Sequence, residues 1–565
     1  MSKETSTFAL SRALPRIGVI ICQCGTELSS ALDLSKVEEH ARALSGVVYA
    51  KTEAYPCSRP GIAALKNLLK EKGLERVVIA GCTPRLHGRF VAKALEETAL
   101  NRWYIEVANI REHCSRVHRN KAEATEKAKE LVAASVKKVA LAEACEPIKS
   151  KPRNAVLVVG GGASGLAASG TLADLGNDVT LVEKEDVLGG MLLKLDKPYP
   201  FGKSAKEIAK ERISRIDGRV RIFTRTEVYS LKGAPGQYLV QLSTDGKLKE
   251  QEFGAIVVAV GAECISVEEL LRTPLLKGIS EFAGRVITQL ELEAETAGKP
   301  ARGVLGNMRS VLFVGASVPE LSHSGARLFS LVALKNAAIL KEGNPDLQAW
   351  FLFDDLPSDL EREFRRARNA GVQFVRPDDP SVLRFVREGL RGCGDLEINV
   401  DLVVLPSFLR MPSSARKLAE VLRIPVDARG FFIQPHIKLW RNDFAERGIF
   451  VIGSCHSPAT LLEASEHATA AASLTTRFVT SEIVRAPLLS NIDRKVCRGC
   501  RRCFEACQWD AIEMIKRESD IELAVVDEVL CTGCGVCSTV CINGAPSLAP
   551  VSQKQIRAML EVVGA

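Results

Sequence analysis

A chain of 565 residues, 46% hydrophobic and 25% charged, has length enough for three or more domains and sizeable cores, and its composition is that of a globular protein. Its net charge of +8 is spread through mixed-sign segments without a dense basic block, and aromatic residues make up only 5%, which argues against nucleic acid. The longest apolar stretches, such as Ala255–Gly261, fall far short of the ~18 residues that cross a bilayer, so no integral membrane protein is expected. Met1-Ser2-Lys3-Glu4-Thr5 lacks the apolar core of a secretory signal. Of seventeen cysteines, eight fall in metal-ligand spacing, so a reducing, cytoplasmic setting is expected rather than a disulfide framework.

Apolar strands at Ile17–Ile21, Val47–Ala50, Val77–Ala80 and Tyr104–Val107 alternate with helical patterns such as Gly61–Lys72. This is the rhythm of a doubly wound parallel sheet over residues 1–148, an α/β, Rossmann-like domain. Cys22 and Cys24 follow the first strand, Cys57 the second and Cys82 the third, and Cys114 lies seven residues beyond the fourth. The carboxyl ends of parallel strands share one edge, where distant residues converge. A [4Fe–4S] cluster on Cys24, Cys57, Cys82 and Cys114 is expected, with Cys22 an alternative ligand. Buried, inert thiols are the competing reading. His87, His113 and His118 lie near this edge and read as structural.

The next segment has the form of a dinucleotide site. The apolar run Ala155–Val159 leads into Gly160-Gly161-Gly162-Ala163-Ser164-Gly165 and then a helical pattern through Leu175. Gly160, Gly162 and Gly165 form G-x-G-x-x-G, which permits a tight turn and brings a helix N-terminus to a pyrophosphate. A second strand, Asp178–Val182, ends at Glu183, 23 residues after Gly160, where an acid would take ribose hydroxyls. Leu188-Gly189-Gly190-Met191 adds a glycine turn. Ile256–Ala262 and Gly448–Gly453 read as two further buried strands ending in glycine, in the order expected around FAD. A helix from about Pro458 to Val479 follows. The candidate FAD contacts are Gly160, Gly162, Ala163, Ser164, Gly165, Glu183, Lys184, Gly190, Gly261 and Gly453.

A second fingerprint is degenerate. Ser310–Val314 is a good strand, but in Gly315-Ala316-Ser317-Val318-Pro319-Glu320 a serine and a glutamate stand where glycines belong. A pyridine nucleotide is therefore not expected there, and no C-x-x-C pair accompanies the flavin sequence.

The tail carries one cysteine pattern twice. Cys497, Cys500, Cys503 and Cys507 read C-x2-C-x2-C-x3-C, and Cys531, Cys534, Cys537 and Cys541 repeat it after 23 residues. This is the spacing of two [4Fe–4S] clusters, in which the first three thiolates of a run hold one cluster and the fourth crosses to the other. Zinc sites usually use two separated pairs instead. Gln508 and Ile542 replace the proline that normally follows each fourth cysteine.

Ile21-Cys22-Gln23-Cys24-Gly25, Gly81-Cys82-Thr83-Pro84-Arg85-Leu86-His87 and Ala108-Asn109-Ile110-Arg111-Glu112-His113-Cys114 resemble the N-terminal domain of the heterodisulfide reductase A-subunit family. The resemblance continues through the Gly160 fingerprint, Gly430-Phe431-Phe432 and Gly448–Gly453 into the tail. It implies a thioredoxin-reductase-like FAD domain at 149–485, with an α/β subdomain inserted at about 264–400, and a two-cluster ferredoxin domain at 486–565. It further implies an electron-transfer subunit that works with other subunits of its complex, with ferredoxin, or as a homodimer within that complex, and a flavin that bifurcates electron pairs. Lys335, in Ala333-Leu334-Lys335-Asn336-Ala337, matches the position of a lysine close to flavin N5; an exposed helix lysine is the plainer reading. Departures are visible. Methanogen-type members carry cysteines just ahead of that lysine, where Ser324–Ser330 has none. The cysteine segment after the Leu188-Gly189-Gly190 turn and an inserted ferredoxin domain are also missing. Cys264, Cys393 and Cys455 are too isolated to build a cluster. This resembles a reduced member with fewer electron exits. The alternative is a self-sufficient NAD(P)H oxidoreductase resembling the small subunit of glutamate synthase; a non-catalytic cluster scaffold is a third reading.

Overall fold

The computed structural model describes residues 14–146, 148–200, 202–272, 281–297, 308–315, 323–353, 356–376, 384–393, 396–433, 448–485, 488–516, 522–528 and 530–563. Two contact-dense units divide the chain, one formed by Met1–Lys149 with Val484–Ala565 and the other by Ser150–Ile483.

The first unit opens with strand β1 (Ile17–Cys22), buried along its whole length as a central parallel strand must be. Strand β2 (Val47–Glu53), β3 (Arg76–Gly81) and β4 (Ile105–Asn109) complete a parallel sheet of order β2-β1-β3-β4. The intervening helix α1 (Arg59–Lys72) shows how local chemistry sets its bounds. Ser58 accepts from the Gly61 amide at 3.1 Å, Pro60 occupies the first turn, and Gly73 ends the helix in the left-handed conformation at φ 56°. Helix α2 (Lys121–Ala140) buries Ala124, Ala128, Val132 and Val136 in the core beneath β1 and β3.

In the second unit, β5 (Ala155–Val159), α3 (Ala163–Asp174), β6 (Asp178–Val182) and β7 (Arg221–Phe223) are followed by a three-stranded antiparallel sheet spanning residues 226–253. Strand β8 (Ala255–Val258) returns to the main sheet. Strand β9 (Arg285–Thr288), helix α4 (Gln289–Thr296), β10 (Ser310–Val314), helix α5 (His323–Gly343), β11 (Gln348–Leu352), β12 (Gln373–Val375) and β13 (Leu402–Leu405) then build a second sheet. Its order is β9-β13-β10-β11-β12, all parallel. Strand β14 (Ile449–Val451) closes the first sheet in the order β14-β8-β5-β6-β7, and helix α6 (Leu461–Thr480) runs over it. A capping box between Thr460 and Glu463 fixes the start of α6.

The tail is a pseudo-repeat. Hairpin strands β15 (Ile512–Lys516) and β16 (Glu522–Val526) lie between the two cysteine runs. Each run turns through left-handed residues at the same places, Gly499 and Arg501 in the first and Gly533 and Gly535 in the second. The last helix, α7 (Gln553–Val563), packs on α2, and Gln555 Nε2 donates to the Lys138 carbonyl at 3.1 Å. Among the described residues no helix is long and apolar enough to cross a membrane.

Candidate functional site

The two cysteine runs of the tail fold around two small chambers. One is lined by Cys497, Cys500 and Cys503 of the first run and by Cys541 of the second. The other takes Cys531, Cys534 and Cys537 of the second run and Cys507 of the first. Each fourth cysteine therefore crosses over, although Gln508 and Ile542 stand where prolines are usual. The Ser490 amide lies 3.5 Å from Cys531 Sγ and the Ala511 amide 3.4 Å from Cys507 Sγ, hydrogen bonds of the kind that tune a cluster's potential. Among the described residues no three donors stand at single-ion distance, and a cubane spreads its thiolates wider than one ion does. The donor sets fit iron–sulfur clusters.

At the carboxyl edge of the β1–β4 sheet four thiols come together. Cys22 and Cys24 place their sulfurs 3.3 Å apart. Burial pushes the Cys22 thiol up to about 12, with neighbouring Cys24 and Cys57 adding to the rise. Cys82 is raised by burial and by Cys24 and Cys57, while Arg111 opposes it. Arg111 also bonds to Cys24. Burial together with would-be anions penalises the Cys22 and Cys82 thiolates, which a bound cationic centre would relieve. Cys114 does not join this group. The one-turn π-helix Arg111–Ser115 turns it inward to full burial among Ala124, Ala128 and Val132, and burial alone accounts for most of its rise to about 11. The described charged groups it feels are Lys127 and Glu130, not cysteines.

The glycine fingerprint sits between β5 and α3. Gly160 has φ 106°, and a Cβ there would lie 2.5 Å from the Ala259 carbonyl oxygen. A Cβ on Gly165 would lie 1.8 Å from the Gly160 carbonyl, so both are required by the fold itself. Gly162 is different: a Cβ there would meet nothing within 4 Å, and its φ of −79° suits any residue. The open space in front of it, and a helix start with no side-chain cap, are what an approaching pyrophosphate needs. Buried Glu183 accepts from the Gly161 amide at 2.6 Å and the Glu185 amide at 2.9 Å, leaving lone pairs for a ribose. Lys184 is half exposed and pairs with Glu185 at 3.6 Å. The glycine turn after β6 docks on the same loop: the Gly189 amide donates to the Gly161 carbonyl at 2.9 Å, and a Cβ on Gly190 would lie 3.1 Å from Gly162 Cα. Gly453, at φ 72°, approaches Ser164 so closely that a Cβ would lie 2.2 Å from its hydroxyl. Gly261, at φ 67°, faces open space. Ala163 opens α3. The residues fit a dinucleotide.

Lys335 lies on α5 and is buried, not an exposed helix lysine. Its Nζ donates to Glu293 Oε1 at 2.6 Å and to the Lys197 carbonyl at 2.8 Å. Glu293, from α4, also accepts from the Asp196 amide at 3.1 Å, and Asn336 bonds Gln289 beside it at 2.7 Å. Glu293 and Arg111 escaped sequence reasoning. Nothing in the spacing of Glu293 points to Lys335, whereas Arg111 stands inside the motif that carries Cys114. The degenerate second fingerprint is described only to Gly315; Ser317 and Glu320 lie outside the described residues.

Residues 154–319 match the pyridine nucleotide-disulphide oxidoreductase family and residues 496–545 the 4Fe-4S dicluster domain. The second iron-sulfur A-subunit of the CoB–CoM heterodisulfide reductase of Methanopyrus kandleri is 30% identical, over 90% of this chain and 92% of its own. The chain belongs to the heterodisulfide reductase A-subunit family. The iron-sulfur A-subunit of the CoB–CoM heterodisulfide reductase of Methanocaldococcus jannaschii is 28% identical over 97% of this chain and 98% of its own. The A-subunit of the H(2):CoB-CoM heterodisulfide,ferredoxin reductase of Methanothermobacter marburgensis is 28% identical over 90% and 92%. The thioredoxin reductase of T. acidophilum covers 58% of this chain and 98% of its own at 15% identity and a TM-score of 0.39, too slight a likeness to add weight. As a heterodisulfide reductase A-subunit, the chain is an FAD- and iron–sulfur-containing electron-transfer oxidoreductase, and an NAD(P)H-dependent activity of its own is not favoured.

Proposed function

We propose that this chain is the flavin-holding electron hub of a multi-subunit complex, joined to subunits resembling the other heterodisulfide reductase components. The observation that carries the proposal is the crossed lining of the two tail chambers, which supports one [4Fe–4S] cluster on Cys497, Cys500, Cys503 and Cys541 and another on Cys531, Cys534, Cys537 and Cys507. A third cluster would be held by Cys22, Cys24, Cys57 and Cys82, whose thiols converge, and not by Cys114. When bound, FAD handles electrons in pairs and the clusters pass them singly.

The chain's own residues set the terms of that exchange. Gly160, Gly162 and the start of α3 would seat the pyrophosphate, with Ala163 and Ser164 supplying the first turn, and Glu183 would fix the ribose at the turn's far side. Gly261 would keep the approach open, Gly190 and Gly453 let their turns close on Gly162 and Ser164, and Lys184 would lie at the rim. Lys335, which matches the position of a lysine close to flavin N5 in the family it resembles, would hold a positive charge near the flavin, oriented by Glu293 and the Lys197 carbonyl. Arg111 would stabilise the Cys24 thiolate in its ligand role. Iron and acid-labile sulfide measured on the full chain after anaerobic reconstitution test the cluster count. Three clusters' worth is expected, falling by one in Cys22→Ala and unchanged in Cys114→Ala; the reverse pattern would return Cys114 to the ligand set.

A further inference from the structure

The helix Ala205–Ile216 carries a cation that its surroundings do not balance. Its own acids are committed elsewhere: Glu207 closes the capping box with Ser204, and Glu211 pairs with Lys203 at 2.8 Å. Arg215 on the same helix pairs with Asp174. Arg212 has no such partner. Its half-buried guanidinium donates from Nη1 to the Ala163 carbonyl at 2.6 Å and from Nη2 to Ser465 Oγ at 2.7 Å, both neutral acceptors. Ser465 in turn donates to the Leu461 carbonyl at 2.6 Å. Among the described residues no carboxylate pairs with Arg212. Burial, and then Arg215, push the guanidinium below its ordinary range, and no acid opposes them.

The two acceptors show where this charge is held. Ala163 is the first residue of α3, and Leu461 is the first of α6, with Ser465 one turn further in. Arg212 therefore bridges the opening turns of both helices. No side chain caps α3, and a Cβ on Gly162 would meet nothing within 4 Å. A helix N-terminus carries partial positive charge, and the guanidinium adds a full charge of the same sign. Charge gathered in this way disfavours the empty site and favours an anion in it.

We propose that Arg212 is an electrostatic positioning residue for FAD, its unmatched charge held beside the head of α3 until the diphosphate of the dinucleotide balances it. The proposal rests on the FAD reading above and extends it to a residue outside the glycine fingerprint. A side chain that only braced the two helices would need its hydrogen bonds and not its charge. A half-buried cation is a poor brace, because its desolvation offsets the bonds it makes. Binding of the diphosphate removes that imbalance, so the charge raises affinity for FAD while it lowers the stability of the flavin-free chain.

The test is equilibrium dialysis of FAD against the full, iron-loaded chain freed of flavin, as wild type, Arg212→Lys and Arg212→Gln. Lysine keeps the charge, whereas glutamine keeps a hydrogen-bond donor without it. The dissociation constant is expected to rise about tenfold or more in Arg212→Gln and to stay within about threefold of wild type in Arg212→Lys. Added salt should weaken FAD binding more steeply in wild type than in Arg212→Gln. Thermal unfolding of the flavin-free chains supplies the readout that a brace would move: Arg212→Gln should melt no lower than Arg212→Lys. Equal affinity in all three chains, equal loss in both variants, or a flavin-free Arg212→Gln chain less stable than Arg212→Lys overturns the proposal. A wild-type chain that takes up no FAD refutes the FAD reading itself. A wild-type chain that binds FAD while Arg212→Gln binds it equally well refutes only the role of Arg212.

Discussion

Lys335→Ala removes the cation from a pair in which both partners are nearly fully buried, the lysine 6% and Glu293 2% exposed. Glu293 keeps the Asp196 amide at 3.1 Å and Asn336 at 3.4 Å but loses the ammonium at 2.6 Å. Leaving one member of a buried pair uncompensated costs about 3–5 kcal/mol. Taken at about 4 kcal/mol, and at about 1.4 kcal/mol per tenfold, helix α5 and strand β10 should open and exchange their amides roughly a thousandfold faster. Hydrogen exchange read by mass spectrometry on peptides of α5 and β10 reports this directly, and it needs no two-state assumption for a multi-domain chain. Replacing both partners, Lys335→Met with Glu293→Leu, should recover more than half of the loss, because no buried charge is then stranded. Exchange in Lys335→Ala within about fivefold of wild type, roughly 1 kcal/mol, would refute the claim that the pair is buried and mutually dependent.

The two roles of glycine in the fingerprint separate cleanly. A Cβ at Gly162 meets no protein atom within 4 Å, so Gly162→Ala should leave unfolding of the apo chain within about 0.5 kcal/mol of wild type yet lower FAD retention on gel filtration. Gly165→Ala drives a Cβ into the Gly160 carbonyl and should lower stability itself by more than about 2 kcal/mol, read by thermal unfolding of the same apo chain. Cys455, fully buried at the ends of β8 and β14, has its thiol raised by burial from 9.0 to about 12. The folded state therefore holds this proton longer than the unfolded state: the contribution is fully present below about pH 9 and is lost as pH rises from there towards 12. Wild-type stability should fall relative to Cys455→Ala by at most about 1.4 kcal/mol per pH unit across that window, in parallel denaturant titrations; parallel curves would show that the thiol does not titrate there.

Sequence carries local geometry well and long-range partners poorly. The doubled C-x2-C-x2-C-x3-C spacing is a short-range constraint, and the chambers take their four cysteines in the crossed order that spacing implies. The glycines of the Gly160 loop are likewise legible, because a tight strand-to-helix turn admits few residues. Cys114 illustrates the limit. Its distance from the end of β4 places it near the sheet edge, but a single π-turn rotates the side chain into the core on α2, and no pattern of polar and apolar residues encodes that rotation. The Lys335–Glu293 pair joins two helices whose contact exists only once the second sheet has formed, so the lysine's burial could not be read from the amphipathic pattern of α5. The packing of α7 on α2, which gathers the tail and the first 149 residues into one unit, joins the two ends of the chain and leaves no trace in local sequence.

The most direct test of the electron-transfer assignment is anaerobic: the chain, loaded with iron and FAD, is mixed separately with NADH, NADPH and a reduced ferredoxin while its visible spectrum is followed. Bleaching of flavin and clusters by ferredoxin, with neither nicotinamide effective, is the expected result. Rapid bleaching by NADH or NADPH alone would contradict it and make the protein an entry-point oxidoreductase with a working second nucleotide site.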